Sequence, residues 1–188
     1  MKTLIKPSVI ALAVWMLCWL VQVGRAAESP SMAVVSAPDF TLQSLDAKAI
    51  SLGQLRDKVI VLHFAATWCP FCNAEAPHLE KLQQRYKDQG VQVLIIDVKE
   101  SKALVEKMAR KFGFSFPVLL DPDGSVATSY APPKNVLPDL ARDEVVIASN
   151  LIIDRQGKIQ FFSVLDTTNF DAKLIALQSR LDQVLAAK

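Results

Sequence analysis

Two of the chain's three cysteines fall in Trp68-Cys69-Pro70-Phe71-Cys72, spaced C-x-x-C. Thiols this close can form and break a disulfide with each other, and the thiolate is the form that attacks. Upstream, Val59–Phe64 is an apolar run that reads as a buried strand. Downstream, from Asn73 to Tyr86, Leu79, Leu82 and Tyr86 recur at helical spacing. The pair therefore falls where a strand ends and a helix begins. A helix N-terminus presents unsatisfied N–H groups and a positive dipole end, and both favour an anion. Cys69, the earlier thiol and the one expected to be more exposed, benefits most as a thiolate. Such placement lowers a cysteine pKa from about 8.5 into the range of roughly 3.5 to 7.5. Cys72, on the same helical face, can close a disulfide with it. These properties make Cys69 the candidate nucleophile and Cys72 the resolving thiol. Pro70 suits the first helical turn.

Other uses of the pair fare worse. A structural staple closing so short a loop constrains little of the unfolded chain. A zinc site needs two further ligands, and the chain offers only His63 and His78. No metal and no cofactor is expected.

The surrounding elements must hold this joint in place. Within 188 residues, positions 1–27 read as a signal peptide or an N-terminal membrane anchor. Lys2 and Lys6 precede an apolar stretch, Val9 to Val23, and Gly24-Arg25-Ala26-Ala27 supplies small residues for cleavage. The stretch is short for a full span of about 20 residues, which favours cleavage over a permanent tether. Cys18 inside it reads as apolar filler. Residues 28–37 read as a linker, and 38–188 as one domain. Without positions 1–27, 18 Lys and Arg face 19 Asp and Glu, so no basic field exists for nucleic acid.

Short strands are expected at Asp39–Leu42 and Lys48–Leu52. After the helix, with Gly90 as its cap, Val91–Val98 reads as a second buried strand. Ser101–Phe112 reads as a helix with Leu104, Met108 and Phe112 on one face, and Pro117–Leu120 as a third strand. A short helix is expected over Ser125–Tyr130. Val145–Ile153 and Lys158–Val164 read as a hairpin. A last helix, capped by Thr168, carries Phe170, Leu174, Leu177, Leu181 and Val184 in a stripe. Strands alternating with helices give an α/β fold, a three-layer sandwich around a mixed central sheet.

The C-x-x-C after Trp68 resembles the thioredoxin superfamily, and within it the TlpA/ResA-like, redoxin-related disulfide reductases. The likeness extends through Ala37-Pro38-Asp39-Phe40, Glu75, Pro77, Phe116-Pro117-Val118 and Ile152-Ile153-Asp154. It implies a thioredoxin-like α/β/α sandwich and an exported thiol–disulfide oxidoreductase, periplasmic or extracytoplasmic, tethered or free. It also implies protein disulfide substrates and a membrane electron donor. Trp68 packs beside the pair in this superfamily; core filling is the plain alternative. Glu75 matches an acid that the family carries three residues after the second cysteine. It is either a proton-handling group or a surface carboxylate. His63 stands where thioredoxins bury an acid behind the resolving cysteine. It is either a proton relay, suited by its near-neutral pKa, or a hydrogen-bonded core residue.

One departure concerns substrate docking. The family sets a cis-proline opposite the disulfide, where this chain has Ala148 followed by Ser149. A trans bond is expected at this substrate-facing loop, since a non-proline cis bond costs about 2.5–4 kcal/mol. Two alternatives use the same dithiol. A peroxiredoxin-like thiol peroxidase would want a threonine where Ala66 stands, and an arginine that Ala148–Ile153 lacks. A metallochaperone would hold Cu(I), which soft thiolates suit.

Overall fold

The structure, a computed structural model, describes residues 35–135 and 137–187. The expected export segment, Cys18 and most of the expected linker lie outside the described residues. At the end of that linker, Ala37 N–H donates to the Gly157 carbonyl at 2.9 Å, and Ser36 bridges to Lys158.

Seven strands and four α-helices follow among the described residues, besides 3-10 turns at Leu52–Leu55 and Lys87–Gln89: β1 (Thr41–Ser44), β2 (Ala49–Ser51), β3 (Val59–Ala65), α1 (Pro70–Tyr86), β4 (Val91–Val98), α2 (Lys102–Phe112), β5 (Val118–Asp121), α3 (Ser125–Ser129), β6 (Asn150–Ile153), β7 (Ile159–Ser163) and α4 (Ile175–Ala186). The strands form one sheet in the order β2-β1-β5-β4-β3-β6-β7. β3, β4 and β5 run parallel, and the outer pairings are antiparallel. Every residue of β3 is buried, as its unbroken apolar run requires when both sheet faces are covered.

The two parallel crossovers step the same way across the sheet. Right-handed crossovers then place α1 and α2 on one face. His63 in β3 faces Glu75 of α1, at 3.5 Å. The next residue, Phe64, points the other way, against the Tyr130 ring at 5.3 Å. The end of α3 therefore covers the opposite face. α4 joins the α1 side, where Tyr86 Oη donates to Asp182 Oδ1 at 2.7 Å. The result is the expected thioredoxin-like α/β/α sandwich with a mixed sheet. Gly90 and Gly113 end their helical segments in the left-handed conformation, as their positions after α1 and α2 predict.

Four local expectations change. β6 begins at Asn150, because residues 142–148 form successive turns rather than strand. Val145–Ile147 is apolar because it is buried, and an apolar run alone does not distinguish strand from turn. On α2 the buried face carries Val105 and Met108, and Leu104 is 51% exposed. α4 starts at Ile175, with no cap from Thr168; Asp171 Oδ2 accepts the Ala176 N–H at 2.9 Å instead. Phe170 precedes that helix rather than joining its stripe, and meets Phe71 edge-on at 4.9 Å, which leaves Phe71 half-buried.

Candidate active site

Cys69 is the N-cap of α1, with extended backbone and Pro70 at the first helical position. Its Sγ accepts the Cys72 N–H at 3.3 Å. The turn before it is braced on both sides. Asn73 Nδ2 donates to the Thr67 carbonyl at 3.0 Å and to the Cys69 carbonyl at 2.9 Å. Behind the turn, Glu100 accepts from the Thr67 N–H and, at 2.6 Å, from Thr67 Oγ1.

These contacts split the two thiols. The Cys72 thiol, donating to the Cys69 sulfur, does most to push Cys69 down to about 6. Burial opposes that, and the N–H groups of Cys72 and Phe71 add to it. Cys72 is pushed strongly up, first by the same hydrogen bond, then by burial and by the charge of Cys69. Both sulfurs are free thiols. The expectation that Cys69 is the more exposed does not hold, since each cysteine is 3% exposed. Cys69 instead lines a cleft of about 340 Å³. Trp68 and Phe71 form one wall, Leu137, Leu140 and Ile147 a second, and Leu165 a third. Trp68 is 66% exposed, so it is not core filling.

Beneath the helix lies a second group, built by register. β3 and β6 pair antiparallel with His63 opposite Asn150. Asn150 Oδ1 lies 3.0 Å from His63 Nδ1, and Asn150 Nδ2 donates to Glu75 Oε1 at 3.0 Å. His63, Asn150 and Glu75 are all buried. Burial pushes His63 down to about 4, so the ring is neutral near pH 7. Nδ1 then carries the proton donated to Asn150. Burial likewise raises Glu75 to about 8; the Asn150 bond opposes this, and the charges of Cys69 and Asp171 add to it. Glu75 also raises Cys72, which places its field on the thiol pair. Glu75 Oε2 has no hydrogen-bond partner. Glu75 lines a cavity of about 190 Å³ together with Ala148, Asn150 and Asp171.

Ala148 and Ser149, expected to face substrate, are buried against β3. Ala148 N–H donates to the Phe64 carbonyl at 2.8 Å, and Phe64 N–H to the Ser149 carbonyl at 3.2 Å. The peptide bonds of the described residues are all trans, and Ala148 is left-handed at φ +64°. Among the described residues, no group of three or more His, Cys, Asp or Glu is placed to hold a metal ion.

Residues 35–162 match the model of the AhpC/TSA family. The chain belongs to that family. It is 36% identical over 134 residues to the thiol-disulfide oxidoreductase ResA of Geobacillus kaustophilus, covering 71% of this chain and 70% of the relative. It is 34% identical over 147 residues to ResA of Geobacillus thermodenitrificans, covering 78% of each. The solution structure of a Bacteroides thetaiotaomicron protein, provisionally described as a protein disulfide isomerase, superposes with a TM-score of 0.67. That protein is 31% identical, with 80% of this chain and 88% of that one covered. The ResA-like chain is thus a thiol–disulfide oxidoreductase of thioredoxin-like fold.

In this ResA-like protein the fold brings Cys69, Cys72, Pro70 and Trp68 to one helix mouth, with Glu75 and His63 behind it. Sequence reasoning missed Asn150, which joins the last two. It also missed Asp97, buried in β4 with both carboxylate oxygens unpartnered. Burial, then the neighbouring Glu100, pushes Asp97 up to about 8. A lone acid inside the apolar run Val91–Val98 was the available signal.

Proposed function

We propose that this protein is an exported reductant of protein disulfides, with Cys69 as nucleophile and Cys72 as resolving thiol. The observation that carries the reading is the split between the thiols: Cys69 held down to about 6, first by the Cys72 side chain and then by N–H groups at the helix mouth, and Cys72 held up beside it. At neutral pH the Cys69 thiolate attacks one sulfur of a substrate disulfide. The S–S bond breaks, a mixed disulfide forms, and the first substrate thiolate leaves and takes a proton. Cys72, as its thiolate, then attacks the Cys69 sulfur. The second substrate thiolate leaves, and the protein holds the Cys69–Cys72 disulfide. The second substrate thiolate also takes a proton, so the substrate has gained two electrons and two protons. The protein has lost two electrons and the Cys72 proton, and solvent, which received the Cys69 proton on ionisation, supplies the other.

Cys72 must release its proton for the second step. Glu75, one helical turn on, would take that proton through its ionised fraction, which grows as the charge on Cys69 disappears, since that charge is one of the causes that raise it. Asn150 and His63 hold that carboxyl in position. Export and a tether or cleavage site are supported by the pattern of residues 1–27, and the ResA relatives support protein disulfides as substrates. A membrane dithiol would return the electrons.

The test is a titration of the Cys69–Cys72 couple against glutathione, with trapping by Cys72→Ser. A potential well below about −200 mV fits a reductant, and one near about −120 mV would make the protein an oxidant. Cys72→Ser should accumulate mixed disulfides on Cys69. A Cys69→Ser variant that still reduces a protein disulfide would overturn the assignment.

A further inference from the structure

The cleft above Cys69 has a chemical character that the exchange reaction itself does not require. Its walls come from three separate stretches: the C-x-x-C turn, the connection between α3 and β6, and the connection between β7 and α4. Leu137, Leu140 and Trp68 remain exposed while lining the same cleft as the reactive sulfur. Contiguous apolar surface at such a place marks a binding surface. Among the described lining residues the charged one is Glu144, a carboxylate, and no lysine or arginine is present.

Resting on the oxidoreductase reading above, we propose that this cleft selects polypeptide disulfides with an apolar side chain two positions from the reacting cysteine. It disfavours acidic disulfides such as oxidised glutathione. The occupant follows from continuity with the thiol and from charge. A substrate cysteine bonded to the Cys69 sulfur sits on the floor of the cleft. Residues of an extended segment are about 3.5 Å apart along the chain and alternate in face, so the side chain two positions from that cysteine, about 7 Å away, falls between the same walls. An apolar side chain there covers Leu137, Leu140 and Trp68. An acidic one is desolvated among apolar groups and faces Glu144 with no cation to pair with. Each half of oxidised glutathione brings two carboxylates into that setting. The chemistry is the two-electron exchange described above, so no further reactant is needed for one turnover.

The test uses the full chain, reduced with dithiothreitol, freed of it, and mixed with short peptide homodisulfides that differ only in a Leu or an Asp two positions from the cysteine. Oxidised glutathione and oxidised 2-mercaptoethanol are run alongside, and released thiol is followed by chromatography. The Leu peptide should react roughly ten- to a hundredfold faster than the Asp peptide, the span expected for burying one large apolar side chain. Leu140→Asp should bring that ratio close to one. Glu144→Lys should speed oxidised glutathione relative to the Leu peptide. Leu104→Asp, at an exposed leucine of α2 outside the cleft, should keep the wild-type ratio. Equal rates for the two peptides, or an unchanged ratio in Leu140→Asp, would overturn the inference and leave the oxidoreductase intact. No thiol release from any of the four disulfides would overturn both.

Discussion

Replacing Cys72 by alanine isolates what holds Cys69 acidic. The largest contribution to its depressed pKa is the hydrogen bond from the Cys72 thiol, and alanine removes that donor. The Cys72 N–H at 3.3 Å from the sulfur is backbone and stays in place. A hydrogen bond to a charged acceptor contributes about 1.5–3 kcal/mol, and each 1.36 kcal/mol moves a pKa by one. The N–H groups of Cys72 and Phe71 remain to support the thiolate, which favours the low end of that range. The Cys69 midpoint should therefore rise from about 6 by roughly one pH unit. At pH 7 the thiolate fraction should fall from about nine-tenths to about one-half. Thiolate absorbance in the ultraviolet, followed against pH, reads this directly. A Cys18→Ala background leaves Cys69 as the remaining thiol once Cys72 is replaced. Cys72→Ser, which keeps a hydroxyl donor, should fall between the two. A Cys72→Ala midpoint identical to that of the parent would show that the helix terminus alone sets the acidity, and the reasoning from the thiol pair would fail.

Three further outcomes follow from the surroundings of the pair. Ala148→Pro should lower stability by about 2–4 kcal/mol, because proline cannot adopt φ +64° and removes the N–H bonded to Phe64; unchanged denaturant midpoints would refute this. Glu75 keeps its proton to about 8 in the folded protein but releases it near 4.5 when unfolded, so its contribution is complete at low pH and is lost as pH rises through about 8. Glu75→Gln should accordingly flatten the fall in stability between pH 5 and 8 by at most about 1.4 kcal/mol per pH unit, read from urea melts at several pH values. Glu100→Ala leaves the Thr67 N–H without its acceptor and should cost about 1–3 kcal/mol, while drawing the Asp97 pKa downward, a shift visible as a carbonyl infrared band titrating at lower pH.

The chemistry was legible from Cys69 and Cys72 because their spacing and their place at a strand–helix joint are local properties. So were β3, β4 and the ends of α1 and α2, where apolar runs and glycines act within a turn or two of chain. His63 and Glu75 were legible as candidates but not in their roles, because burial decides those. A carboxyl on a helix is a surface group or a proton carrier according to what covers it, and the covering residues come from β6 and from the approach to α4.

Sequence alone determined that two thiols would share a helix mouth, since the chain between them is too short to separate them. Only the tertiary structure decided which groups surround them. The β3–β6 register brought Asn150 between His63 and Glu75 across 87 and 75 positions of chain. The same folding turned Val145–Ala148 into buried turns and laid Leu137 and Leu140 beside Cys69. Such contacts join segments far apart in the chain, so no local pattern specifies them. They are fixed by the packing of apolar faces and by pairing of the polar groups that packing buries.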